Sequence, residues 1–231
     1  MTVAAAAGEQ LSLEIEPAAS SALPRLAPMR PTPGSAPFDD DSWFFEPWWP
    51  GTPVLAYVDD QGLRLQIEHL ADPDACFPEL RSVVDQFAPG RLVAEATLLI
   101  LDDEGRPDSE LLRRRLTDPG SSAGWPALVC SDLLQRGERS LLSRPFAERR
   151  AELGRTLRDG DACVLSRGLR GEGTTLAQAV AQMGLTEISA RRLTGRYRPG
   201  ASDDGWLRLP VDEEPAPATR PLLALLQRLP L

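Results

Sequence analysis

Side chains able to act as nucleophiles, proton carriers or metal ligands are few in this chain. It has one histidine, His69, three cysteines, Cys76, Cys130 and Cys163, and no lysine: all 25 basic residues are arginine. A guanidinium does not deprotonate in a protein, so none of these cations can serve as an attacking amine. A single histidine excludes a His-pair metal site. His69 is an alternative phosphorus nucleophile by chemistry, but its place at the end of a predicted hairpin suits a surface residue better. The acidic runs Asp39-Asp40-Asp41 and Asp102-Asp103-Glu104 fall in predicted turns, where solvated loop carboxylates are expected and metal binding is not. No segment resembles the strand–turn–helix setting of a nucleophilic serine.

The cysteines are widely spaced, odd in number and lack a C-x-x-C pair. Reduced thiols, with Cys130 and Cys163 acting as small apolar residues in buried strands, are expected. Arginines gather at Arg113, Arg114 and Arg115 and at Arg191, Arg192, Arg196 and Arg198. Over the whole chain, however, the formal net charge is −9, which argues against indiscriminate nucleic-acid binding, because phosphate neutralisation supplies most of that affinity. DNA binding is expected to be weak or absent. The N-terminus lacks the positive region of a secretory signal, and no apolar run reaches the ~20 residues that span a bilayer. A soluble protein of the cytoplasm, without membrane contact, is expected.

These side chains must be positioned by a fold of hairpins and helices. Residues 1–37 form a Pro/Ala-rich N-terminal arm, with five prolines between Pro24 and Pro37 breaking any helix. A hairpin begins at Val54, turns at Asp59-Asp60-Gln61-Gly62 and continues with the alternating Leu63, Leu65 and Ile67. Phe77, Leu80, Val84 and Phe87 predict a helix from Pro78 that ends at Pro89-Gly90. Leu92 to Leu101 reads as a central strand, Asp108 to Leu116 as a short helix, and Ala127 to Leu134 as a further buried strand. A helix starts near Ser143, Pro145 and Glu148, and a strand covers Asp161 to Ser166. Thr175 opens a helix carrying Leu176, Val180 and Met183, stopped at Gly184. A last pair of strands runs from Ile188 to Leu193 and from Trp206 to Leu209. Residues 211–231 start as an acidic and Pro-rich linker and end in a Leu-rich segment able to form a short amphipathic helix. The fold class is α+β, with antiparallel sheets flanked by helices.

Between the arm and the hairpin lies the densest aromatic cluster, Trp43, Phe44, Phe45, Trp48 and Trp49. Two roles are open to it. Its rings can fill an internal cavity, which is the preferred role of Trp48, or they can form a hydrophobic patch for a partner protein.

In sequence order, the stretch from Leu26 to Leu209 resembles the adenylation domain of bacterial ATP-dependent DNA ligases, a nucleotidyltransferase fold (ATP-grasp-like). Glu46-Pro47-Trp48-Trp49-Pro50-Gly51 parallels the family's E-P-K-W-D-G. Phe77-Pro78-Glu79-Leu80, Ser131-Asp132-Leu133-Leu134, Pro145-Phe146-Ala147-Glu148-Arg149, Tyr197-Arg198-Pro199-Gly200 and Trp206-Leu207 parallel later blocks. The resemblance places Trp48 at the nucleophilic lysine, Pro50 at its aspartate companion, and Pro53 and Glu68 at two arginines. Thr97 falls at a glutamate that contacts the ribose or supports the metal. Arg191 and Arg208 fall at lysines, which marks them as candidate phosphate-binding residues. The resemblance bounds an adenylation-like domain at 38–210 and implies that an oligonucleotide-binding domain would follow it.

Adenylation needs a neutral amine, cations on the pyrophosphate and carboxylates for a divalent metal. With an indole at residue 48, no catalytic residue is assigned and no cofactor is expected, ATP and Mg2+ entering only if part of the family site survives. The reading is a catalytically inactive pseudoenzyme, a binding or scaffold protein in DNA repair or replication. Its unknown protein partner would be met through Trp43, Phe44, Trp49 or the Leu-rich C-terminus. Two alternatives stand beside it: a divergent ligase or nucleotidyltransferase using another nucleophile or a partner subunit, and a nucleotide sensor without covalent chemistry.

Overall fold

The computed structural model describes residues 23–118 and 120–211. In chain order the strands and helices begin with β1 (Arg30–Pro33), β2 (Asp39–Pro47), β3 (Thr52–Asp59), β4 (Gly62–Gln66) and α1 (Pro73–Cys76). A 3-10 helix (Pro78–Gln86), β5 (Leu92–Leu101), α2 (Ser109–Thr117), β6 (Trp125–Arg136) and β7 (Arg139–Ser140) follow. The last third holds α3 (Phe146–Thr156), β8 (Cys163–Leu165), β9 (Leu169–Glu172), α4 (Gly173–Gln182), β10 (Glu187–Arg192) and β11 (Ser202–Pro210). None of the described helices is long and apolar enough to cross a membrane.

Two sheets result. One has the order β1-β11-β10-β2-β9, with β1 and β11 parallel and the other pairs antiparallel. The other runs β4-β3-β5-β6-β7, with β8 added parallel to β6. This is the α+β arrangement expected from the sequence, and its nucleotidyltransferase character follows from the comparisons below.

Side-chain alternation along each strand decides where the core and the site lie. On β5, Leu92, Ala94, Ala96, Leu98 and Ile100 join the helix-covered core with Phe77, Leu80, Leu112 and Leu153. The odd residues point the other way: Val93 meets Leu55 and Tyr57, and Leu99 and Leu101 meet Trp49, Val129 and Met183. In the first sheet Trp43, Phe45, Ile188, Ala190 and Leu209 face α4, whose Leu176, Ala177 and Val180 cover them. Glu46, Ser189, Arg191, Trp206 and Arg208 therefore belong to the opposite face, toward the second sheet.

The link from β2 to β3 carries the chain from one sheet to the other. It depends on Gly51, because a Cβ there would lie 2.3 Å from the Leu98 carbonyl oxygen. This close approach seats Trp48 and Trp49 at the junction of the sheets.

Several local expectations change. The helix predicted from Pro78 is a 3-10 helix, with burial of Leu80 and Val83 following a period of three, and the short α1 precedes it, ending where Pro78 cannot continue the hydrogen-bond ladder. Asp39-Asp40-Asp41 is not a turn but the start of β2, where Asp39 accepts from Thr174 N (2.9 Å) and Thr174 Oγ1 (2.7 Å). It thereby satisfies open N–H groups at the start of α4. Within residues 23–37, Leu23 and Met29 are buried. Along the chain, β1, β2, β7 and β9 are strands that the sequence pattern did not reveal. Asp102 does lie in a turn, accepting from Glu104 N and Arg106 N. The Leu-rich C-terminal segment lies outside the described residues.

Candidate functional site

A cavity of about 520 Å³ opens between the two sheets. Its walls include Met29, Pro31, Pro33, Trp48, Trp49 and Ile67, and its deeper surface carries Glu46, Glu95, Ser131, Ser189 and Arg191. Trp48 is half-buried, one face of the site, with the Arg208 guanidinium 4.7 Å from its ring centroid. The cavity is therefore not filled by Trp48, contrary to the role preferred from the sequence: the indole packs sideways against the cluster of Met29, Tyr197 and Trp206 and leaves the cleft open.

The floor is a buried ionic network assembled from five elements. β5 and β6 place Glu95 and Asp132 directly opposite each other, and an irregularity in register at this point leaves Ser131 as an extra residue on β6. Two carboxylates so placed repel unless cations separate them. Arg149, on α3, grips Asp132 with both prongs, Nε to Oδ1 at 2.9 Å and Nη2 to Oδ2 at 2.7 Å. Arg191, on β10, donates to Glu95 (2.7 Å) and Asp132 (3.2 Å), and its Nε lies 3.6 Å from Glu46. Its guanidinium also lies 3.7 Å from the Trp206 ring centroid. Arg150 approaches Glu46 at 3.5 Å and donates to the Ser166 carbonyl, with its guanidinium 4.1 Å from the Phe44 ring centroid. Tyr197 donates to Glu95 at 3.0 Å while accepting from Met29 N.

Three carboxylates thus face three guanidiniums, all buried. Burial pushes the Glu95 carboxyl pKa up, against the pull of Arg191, and Asp132 adds to the rise. Burial works against the charge of Arg191, but Glu95, Glu46 and Asp132 outweigh it and its pKa moves up. For Arg150 burial dominates, helped by Arg191, and lowers its pKa despite Glu46. Burial also raises the Tyr197 hydroxyl pKa, with Glu95 adding to the effect.

The expected site residues separate into two groups. Trp48, Glu68, Thr97, Arg191, Arg208 and Pro53 all line the cleft, whereas Pro50, exposed in the β2–β3 link, does not. Arg191 is enclosed by carboxylates. Arg208 sits at the rim, half-exposed, paired with Glu187. Glu68 pairs with Arg30 at 2.5 Å, and His69 beside it is 90% exposed. Trp43, Phe44 and Trp49 are buried, so they form no exposed patch for a partner. The arginine runs are also broken up: Arg113 pairs with Glu110, Arg115 is buried against Glu79, and Arg192 packs over Trp43. All three cysteines are buried and free.

The acids of the cleft do not fit a divalent cation. Glu95 and Asp132 spend their oxygens on Arg191, Arg149 and Tyr197, and no group of three potential metal ligands occurs among the described residues. Glu46, Asp132, Arg149, Arg150 and Tyr197 were not recognised as one cluster from sequence. The available signal was an acid inside apolar strand text, as at Glu95 and Asp132.

No protein-family model matches the chain. It is 28% identical over 184 residues to the multifunctional non-homologous end joining DNA repair protein LigD of Mycobacterium tuberculosis H37Rv, covering 79% of this chain and 24% of that protein. It is 28% identical over 193 residues to DNA ligase C1 of Mycolicibacterium smegmatis, covering 77% and 56%. The chain thus spans about a quarter of LigD and a little over half of ligase C1. A solved structure of mycobacterial DNA ligase D complexed with ATP and MES superposes with a TM-score of 0.69 at 25% identity, covering 80% of this chain and 60% of that one. The ligase domain of M. tuberculosis LigD gives 0.68, also at 25% identity, covering 79% and 58%. The homologues are ligase domains of the LigD and DNA ligase C kind, and the fold is their nucleotidyltransferase domain.

Proposed function

We propose that this homologue of ATP-dependent DNA ligases does not adenylate itself and acts as a pseudoenzyme, a binding or scaffold protein of the cytoplasm serving DNA repair or replication. The observation that carries the reading is Trp48: the position matched to the nucleophilic lysine holds an indole facing the cleft, in a chain without lysine. An indole offers one N–H donor and no attacking lone pair. The remaining histidine, His69, sits exposed at the rim, apart from the network. Glu46, Glu95 and Asp132, the carboxylates of the floor, are neutralised by arginines, so they support the same reading. The net charge of −9 favours a protein partner over DNA.

Incubation with α-labelled ATP and Mg2+, then denaturing electrophoresis, tests this directly. No protein-linked label is expected; a stable adenylate would overturn the proposal. A second reading, nucleotide binding without chemistry, is favoured by the open cavity of about 520 Å³, a size suited to small ligands.

A further inference from the structure

We infer that the cleft is a metal-independent receptor for an uncharged, flat heterocyclic ligand of the nucleoside class, and that it selects against polyphosphates. The inference rests on the pseudoenzyme reading and specifies what its cleft would hold. It starts from charge. The lining carries three arginines and three glutamates, and each arginine is paired: Arg30 with Glu68, Arg208 with Glu187, and Arg191 with Glu46, Glu95 and Asp132. A polyanion entering here would have to break ion pairs that are already made. Breaking the buried ones leaves a carboxylate stranded in a low-dielectric floor, an unfavourable exchange. A divalent cation brought in by a polyphosphate meets the same obstacle from the other sign, because its carboxylates already hold guanidiniums.

The uncharged part of the lining selects a ligand positively. Trp48 gives a flat, half-exposed aromatic wall, and Pro31, Pro33, Pro47 and Pro53 give flat apolar surfaces without N–H donors. Five hydroxyls also line the site: Thr52, Thr97, Ser131, Ser166 and Ser189. Ser189 Oγ accepts from Trp206 Nε1 at 2.9 Å and Ser131 Oγ accepts from Arg191 at 3.3 Å. Each of these two hydroxyls still has its own O–H to donate. Hydroxyl donors in a cleft walled by Trp48 match a planar ring with nitrogen or oxygen acceptors on its edge.

Quenching of tryptophan fluorescence in the full chain tests the inference, with adenosine as probe and ATP with and without Mg2+ as comparators. Adenosine should bind at least tenfold more tightly than ATP, with an affinity unchanged by Mg2+ or by raising salt from 50 to 500 mM, because no ion pair forms. The Trp48→Ala variant, checked for native circular dichroism, should lose about tenfold in adenosine affinity as the stacking wall disappears. If that variant fails to fold, adenosine and ATP titrations of the parent chain still decide the matter. Tighter binding of ATP·Mg2+ than of adenosine, or no adenosine binding at millimolar concentration, would overturn the inference. ATP binding more tightly than adenosine, without covalent product, would sink this inference alone, whereas protein-linked AMP would sink the reading beneath it.

Discussion

The two faces of β5 are built on opposite principles. The face toward the helices is hydrocarbon throughout, from Leu92 to Ile100. The face toward the other sheet holds Glu95 and Thr97 and, across the β6 pairing, Asp132. Burial of apolar area stabilises the first by about 25 cal/mol per Å² and asks only for shape. The second requires every charge to find its partner. The lesson is that the fold and the site separate physically: the hydrocarbon face can keep a ligase architecture while the polar face changes its chemistry. Here Arg149, Arg150 and Arg191 face inward and pair with the acids.

The comparison can be broken most severely on the ionic side. Arg191→Ala leaves Glu46, Glu95 and Asp132 short of a counter-charge, and a loss of about 3–5 kcal/mol is expected in denaturant unfolding. Replacing all six charged side chains of the floor, Glu46, Glu95, Asp132, Arg149, Arg150 and Arg191, by well-packed apolar residues should instead be near neutral, since no charge is left unpaired. A large loss in that variant would mean that the network contributes net stability. On the hydrocarbon side, Leu98→Ala should cost about 2–4 kcal/mol by opening a cavity, with no change in the cleft's ligand binding.

Smaller effects sharpen the contrast through pH. Glu95 has its pKa raised by burial, so its contribution is present below its ordinary value of 4.5 and lost as pH rises through the raised folded value. Glu95→Gln removes that dependence, and its stability relative to the parent should improve with rising pH over that window. Asp39, on the exposed end of β2, behaves oppositely. Its hydrogen bonds from Thr174 lower its pKa, so its contribution is present above 3.8 and lost as pH falls through the lower folded value. Asp39→Asn should therefore lower the Tm modestly at neutral pH and make no difference in strong acid. Thermal melts at a series of pH values read both.

Much of the fold was legible because strands with one consistent surroundings write it into their text. β5 reads as apolar but for Glu95 and Thr97 and matches its predicted span, and the second strand of the β3–β4 hairpin shows alternation after its turn. The pairing of β10 with β11 was likewise visible. β1 and β2 were not, because Pro31, Pro33 and Asp39 to Asp41 carry turn-like chemistry that long-range pairing overrides. The site was legible only as separate positions. Trp48, Arg191 and Arg208 could be placed at the cleft through resemblance, but the partners of Arg191 come from β2, β5 and β6, between 59 and roughly 145 positions away in the chain. No local pattern encodes that meeting. The same long-range packing buried Trp43 and Trp49, which sequence alone offered as surface.

On the proposed reading, the cleft is closed to adenylation by its self-neutralised floor as well as by the indole at residue 48. Intact-protein mass spectrometry of the Trp48→Lys variant after incubation with ATP and Mg2+ tests it most directly. With Glu46, Glu95 and Asp132 still held by Arg191, Arg149 and Arg150, the account predicts an unmodified mass. A species heavier by one AMP would contradict it, showing that restoring the amine suffices and that the ionic network leaves the chemistry intact.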